Sequence, residues 1–346
     1  MPSDWRTSGR AESFEYRLSS LSGAPMGTLD GVESCSLTGS VFADVRWGGS
    51  LVWSGVTQPD WAHILIQPWY LVDGAGEWPL CPPCFASAPG TDYADTVPES
   101  VSVQLYDTSY ALAKRLRTSA PVTLAAGTVL TTALAARLAA AGVRASIEAS
   151  AKTNTAPMNW DTGTSEMSLD NDILGALGYW SIQAADDGSM VGIPWVDPAA
   201  RASVYDFDQA LIVAPAWSVN RDDFDVPNRI TGVPRVADGV TPTPVTVTLD
   251  SILSSSPYTY AARGFWVDAE TLRDVDAADT DALTATLTRT LLNAASVTST
   301  VNVTHAWVPE VDLSSVVTYE SARYSVQKMS IDCVLGLQVK AEWRAV

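Results

Sequence analysis

Cys81 and Cys84 stand in the stretch "GEWPLCPPCFASAPG", and two thiols at this spacing have two chemical uses. A redox pair opens a helix, whose N-terminus lowers the pKa of the attacking thiol. A zinc site needs about four ligands, usually in two clustered pairs. Here the flanks are rich in proline and glycine with no helical pattern after them, and Cys35, Cys333, His63 and His305 are scattered singly. The pair is therefore expected to be two incidental thiols on a rigid, proline-braced loop. Asp186 and Asp187 are adjacent carboxylates. Catalytic carboxylates usually come from separate elements facing a cleft, whereas Asp-Gly in a turn is selected for its backbone.

The chain has only two histidines, so a Ser-His-Asp or Cys-His site must use one of them. His63 lies in "WAHILIQPW", whose alternation reads as a strand, and His305 lies in "VTHAWVPE" beside a tryptophan. A single histidine among apolar residues is read as structural. The acidic run "DVDAADTD" lacks the glycine of a calcium loop and reads as a solvated approach to a helix. The sequon "NVT" at 302–304 needs a secretory route to be used. Phosphate-loop, H-E-x-x-H and G-x-S-x-G patterns are absent. No catalytic, cofactor-binding or metal-ligating residue is assigned, no cofactor is expected, and the chain is not read as an enzyme.

The elements that position these residues change character along the chain. Residues 1–108 read as short strands: "ESFEYRLSS" alternates Phe14, Tyr16 and Leu18 with polar residues, and "GGSLVWSG" and "SVSVQLYD" follow, punctuated by Gly48–Gly49 and Pro98. Such spacing predicts a small antiparallel barrel or sandwich. Residues 109–202 read as an α+β module. Leu130, Leu134 and Leu138 form one helical stripe between Thr128 as N-cap and Gly142 as C′ residue. Asp170 or Asn171 is expected to cap a short helix through Leu177 that ends at Gly178, and "YWSIQA" and "MVGIPW" are expected to pair across Asp187-Gly188.

Strands return after residue 203 with "LIVAP", "NRITGV" and "TPVTVTLD". In residues 276–295, Leu283, Leu287 and Leu291 fit a helix capped by Thr280, against the strand-like alternation of Thr284, Thr286, Thr288 and Thr290. The helix is preferred. The last stretch is strand after strand, so the chain is expected to stop at a barrel edge.

Bulk properties narrow the function. The chain has 346 residues, 47% hydrophobic and 17% charged, which predicts a folded protein of several domains. Its formal net charge of −18 disfavours a basic nucleic-acid groove. The start "MPSDWRTSGRAESFEY" is not a signal peptide, and the most apolar helical stretch, 129–141, contains Arg137 and is too short to span a bilayer. No membrane contact is expected, and the protein is read as made and kept in the cytoplasm unless it leaves within something larger. Thirteen tryptophans exceed what a core needs and point to protein contacts.

The run from "WAHILIQPWYLVDGAGEWPL" through "FASAP", "SVQLYD", "AAGTVLTTALAARLAAAGV", "MNWDTGTSEMSLDNDILGALGYWSIQAADDGSM" and "NRITGV" to "WVPEVDLSSVVTYESARYSVQKMSID" resembles the minor tail proteins of long-tailed actinobacterial phages. It resembles in particular their baseplate or tail-tip hub, the N-terminal part of a tail-associated fibre protein. The likeness covers nearly the whole chain and is architectural. Two places depart from the family's pattern: "WPLCPPCF" at 78–85 carries the cysteine pair where the family has "W-P-L-G-x-F", and "VDLSSVV" at 311–317 replaces "P-G-D-x-V".

The resemblance implies a mainly β protein with two small antiparallel β-barrels and inserted α+β domains. An N-terminal barrel would occupy 1–108 and an α+β domain 109–202. A second barrel would combine 203–235 with 303–346, and a further α+β domain would occupy 236–302. It also implies a homotrimer that adapts a sixfold tail-tube or distal-tail ring to threefold fibre or tip proteins, since two equivalent surfaces per subunit turn three copies into six positions. The tape measure protein is a further implied partner. Genomic DNA would pass along the axis without binding, in a virion tail tip assembled in the host cytoplasm. The 179–195 hairpin would decorate the outside of the ring, with Tyr179, Trp180 and Trp195 as core or contact residues. Two other readings compete: a cell-surface carbohydrate-binding module, predicting several tryptophans in a polar groove, and a hub with cell-wall-degrading activity, predicting paired carboxylates or a histidine site.

Overall fold

The computed structural model describes residues 11–55, 57–94, 97–216, 225–236, 239–295 and 300–346. The first ten residues of the stretch read as lacking a signal peptide lie outside these. Period-two patterning produces the first strands: β1 (Glu12–Ser20), β2 (Pro25–Thr28), β3 (Val32–Ser40), β4 (Trp47–Trp53), β5 (Ile64–Val72), β6 (Gly76–Pro79), β7 (Cys84–Ala94) and β8 (Val97–Asp107). In β4, Trp47, Leu51 and Trp53 are buried on one face. Gly48 and Gly49 do not punctuate strands as expected but lie inside β4, where a Cβ on Gly49 would overlap the Ser36 carbonyl oxygen of β3. Pro98 likewise lies within β8.

The next segment forms β9 (Val122–Leu124), α1 (Leu130–Ala140), β10 (Ala145–Ile147), β11 (Met158–Trp160), α2 (Glu166–Leu177), β12 (Gln183–Ala184) and β13 (Met190–Gly192). Leu130, Leu134 and Leu138 are fully buried, as their spacing predicts. Gly142 has φ +73° just past α1, although the N-cap is Val129 and not Thr128. Thr128 instead accepts at no helix amide; its hydroxyl donates to Ala125 O at 2.7 Å. Helix α2 starts earlier than expected. Ser165 is its N-cap, accepting from Ser168 N at 3.2 Å, so Asp170 lies inside the helix and is fully buried. Gly178, at φ +76°, ends it as expected, with Tyr179 N donating to Leu174 O.

The chain then forms β14 (Tyr205–Phe207), β15 (Ile212–Ala216), β16 (Arg229–Pro234), β17 (Val245–Thr248), α3 (Leu249–Ile252), α4 (Tyr260–Arg263), β18 (Leu272–Val275) and α5 (Thr280–Ala295). Leu283, Leu287 and Leu291 are buried on α5, which settles the helix–strand ambiguity. Asp279, not Thr280, caps it, accepting from Ala282 N at 2.7 Å. The chain closes with β19 (Thr300–Ala306), β20 (Val316–Tyr319), β21 (Ala322–Asp332) and β22 (Gln338–Ala345).

Strand pairing joins distant parts of the chain. A single 14-stranded sheet runs β15-β19-β22-β21-β3-β4-β8-β7-β5-β1-β2, with β14, β20 and β6 attached beside it. The N-terminal and C-terminal strands therefore meet at β3 and β21, where Lys328–Asp332 pair with Ser40–Ser36. The expected two barrels are joined into one sheet over one hydrophobic cluster that includes Leu37, Leu51, Ile66, Val326, Ile331 and Trp343. Among the described residues no pairing closes either half into a barrel. The strand "NRITGV" was expected with the C-terminal strands, but β16 pairs with β17 and β18 over α5 and the core of Ile230, Val247, Leu283 and Leu287. The last strand is not an edge either, since β22 is flanked by β19 and β21. A third cluster fills the 109–202 module between α1 and α2.

Candidate assembly interface

Cys81 and Cys84 are buried, with their sulfurs 3.9 Å apart. Cys35 and Cys333 were expected as singletons, yet Cys333, just past the end of β21, lies beside Cys35 of β3. Cys333 N donates to Cys35 O at 2.9 Å, which brings the two side chains together near Tyr16. The thiol contact and burial push Cys35 up, and the Cys84 contact and burial do the same for Cys81, so neither is a ready thiolate. Among the described residues no three His, Cys, Asp or Glu side chains are placed to hold a metal ion.

His63 is not on a strand. It closes a 3-10 turn, Trp61–His63, and pairs in the open with Asp60 at 2.7 Å. His305 is buried in β19 against Phe207 and Trp343, with Nδ1 2.8 Å from Ala306 O. Burial lowers its pKa to about 4, which keeps the ring neutral. Asp187 serves its turn, accepting from Ser189 N at 2.8 Å beside Gly188 at φ +77°.

The hairpin around that turn is an internal fitting. β12 and β13 pair as expected, and the turn docks on the N-terminal strands. Gln67 Nε2 donates to Asp186 O at 2.8 Å, Thr108 Oγ1 donates to Gly188 O at 3.0 Å, and Arg46 donates to Gln183 Oε1. Tyr179 is buried, and its hydroxyl donates to Glu148 O at 3.2 Å. Trp180 and Trp195 lie 6.4 Å apart, both half-buried.

Two polar residues that patterning did not single out, Asp107 and Glu166, hold the modules. Asp107 accepts from Trp47 N at 2.7 Å and Ser109 N at 2.8 Å, tying the end of β8 to β4; its signal is the Asp-x-Ser turn pattern. Arg137 of α1 forks onto the buried Glu166 of α2, with contacts of 2.6 and 2.9 Å. Beside it, both Asp170 oxygens are buried without a hydrogen-bond partner. Burial and the neighbouring Glu166 carboxylate raise the Asp170 pKa to about 8 against the opposing Arg137 charge.

Among the described residues no strand pairs with the outer edge of β2 or of β15. Each free edge carries an exposed apolar side chain, Met26 on β2 and Val213 on β15. Unpaired edge groups with apolar neighbours are a ready template for another chain. The polar face across the β3–β21 seam carries Lys328 paired with Glu342 at 2.8 Å and Lys340 paired with Asp332 at 3.4 Å. Only one tryptophan among the described residues is exposed, Trp266; it stacks on Tyr260 at 4.6 Å with the Arg229 guanidinium 4.8 Å from its ring. A groove of several exposed tryptophans is thus missing from the described residues. No helix among them is long and apolar enough to cross a membrane.

No family model and no curated protein matches the chain. Solved structures do. A 43 kDa tail protein of prophage MuSo2 from Shewanella oneidensis superposes with a TM-score of 0.63 at 10% identity, over 96% of this chain and 98% of that one. A tail protein from Neisseria meningitidis MC58 gives 0.61 at 10% identity, over 96% of each chain. A prophage tail protein from Listeria monocytogenes EGD-e gives 0.57 at 10% identity, over 95% and 94%. The chain has the fold of phage tail proteins, mainly β with few helices.

Proposed function

We propose that this chain is a structural component of a phage tail tip, a trimeric hub that adapts a sixfold tail ring to threefold fibre or tip proteins. The observation that carries the reading is the end-to-end likeness to tail proteins, which leaves almost no part of the chain over for a separate activity. The sheet supports it physically. Its two halves meet at the β3–β21 seam, and each ends in an edge that no strand among the described residues pairs, with an exposed apolar residue on it. One subunit offering two such surfaces is what a threefold-to-sixfold junction requires. In this reading the 109–202 module and the β16–α5 module are mounted on the sheet, distal-tail or tube proteins and fibre proteins are the partners, the tape measure protein is a further contact, and DNA passes along the axis unbound. The location is the virion.

Imaging particles that carry a gold-labelled tag on this chain tests the assignment. The reading expects label at the tip of the tail; label on the capsid or its absence from particles contradicts it.

A further inference from the structure

Three arginines of this acidic chain line a cavity of about 550 Å³ where several parts of the fold meet. The loop after β3, the hairpin module, helix α5 and strand β22 all line it. Its charged side chains are Arg46, Arg289 and Arg344 against Asp197, the main-chain carboxylate of Val346 also lies at its rim, and Trp180 and Trp195, tilted to each other by 54°, form part of its wall.

The guanidiniums are held by neutral acceptors. Arg289 Nη1 donates to Tyr179 O at 2.9 Å. Arg344 donates to Leu292 O at 2.6 Å and Asn293 Oδ1 at 3.2 Å. Arg46, 8% exposed, donates to Gln183 Oε1 and Ser181 O. A fourth, Arg201, lies 5.9 Å from the Trp180 ring, and its Nε and Nη2 are buried without a hydrogen-bond partner. Among the described residues none of the four has a carboxylate within 4 Å. Asp197 is engaged in capping, accepting from Ala199 N at 2.9 Å. Asp107 and Asp312 act on Arg46 from a longer range, and Asp197 acts so on Arg201 and Arg344.

Burial lowers the pKa of all four guanidiniums. For Arg289 no carboxylate offsets that burial. A buried cation without a paired anion is unfavourable, and planar guanidinium forks match carboxylate and phosphate oxygens. We propose that this cavity is an anion site for a small oxyanion of two or more charges, phosphate or a polycarboxylate, gripped by Arg289 and Arg344 from one side and Arg46 from the other, beside Trp180. A bound anion then ties the hairpin module, α5 and the last strand together and raises the stability of the whole chain by mass action.

The test uses the full chain at matched ionic strength, titrated with sodium phosphate, sodium citrate or sodium chloride. Phosphate or citrate is expected to raise Tm along a saturating curve that chloride does not reproduce, and calorimetry is expected to show one site per chain. Phosphate alone would identify a phosphoryl site, and citrate alone a carboxylate site. The double variant Arg289→Gln with Arg344→Gln should bind at least tenfold more weakly, with Arg289→Lys intermediate. Equal responses to all three salts, or no saturable heat with the unaltered chain, overturn the proposal. The calorimetric arm does not depend on the variant folding.

Discussion

Leu37 of β3 and Ile331 of β21 are direct register partners across an antiparallel pair, and both are buried in the core beneath the large sheet. They come from opposite ends of the chain, so this one contact row turns two separate strand sets into one structure.

Leu37 is 0% exposed at the seam, so truncation removes buried apolar area and leaves a cavity. Leu37→Ala is expected to destabilise the chain by about 2–5 kcal/mol. Denaturant unfolding should show one cooperative transition at a lower midpoint. Two separated transitions in the unaltered protein, or a change below about 1 kcal/mol in the variant, would mean that the halves are stable apart.

Asp170 titrates at about 8 in the fold because burial and Glu166 disfavour its charge. Its unfolded value is near 3.9. A raised folded pKa in an acid means that the native state holds the proton more tightly, so the stability it allows is complete below about pH 4 and declines as pH rises towards 8. Asp170→Asn is expected to stabilise the protein at pH 8, by up to about 5 kcal/mol if the whole shift is recovered. The gain should shrink towards pH 4, read as Tm against pH. A gain that is flat with pH would show that Asp170 is not the titrating group.

Changing Cys81→Ser together with Cys84→Ser is expected to leave tail assembly and infectivity nearly intact. The two thiols sit against each other and Pro82 O, and among the described residues no third ligand joins them to make a metal site. Elemental analysis of the purified chain should find no stoichiometric zinc. One zinc per chain, or tails that fail to assemble, would make the thiols functional.

The net charge of −18 per chain opposes duplex DNA, and in the proposed trimer three copies around an axis would multiply that repulsion. A gel shift at physiological salt is expected to show no complex. Salt-dependent retardation of duplex DNA would contradict a passive passage and require a genome-gripping surface.

What the sequence made legible was local. The Leu130–Leu134–Leu138 stripe, Gly178 and the Asp187-Gly188 turn each depend on neighbours within a few residues, and each appears where expected. The misreadings have two physical sources. Cap residues were displaced by a position at α1 and α5, and Asp170 was read as a cap because aspartate favours caps, whereas tertiary packing buries it inside α2. Strand partners were the larger gap. Alternation says that "NRITGV" is a strand but not that β17 and β18 are its neighbours. Nor does it say that Cys333 lies beside Cys35, or that Arg46, Arg289 and Arg344 line one cavity. Non-local pairing is set by the assembled core, which no short window contains.

The central claim is a threefold hub, and the number of copies in an isolated tail tip tests it most directly. Quantitative mass measurement of purified tips is predicted to give three copies of this chain per particle. Six or twelve copies would contradict the hub assignment.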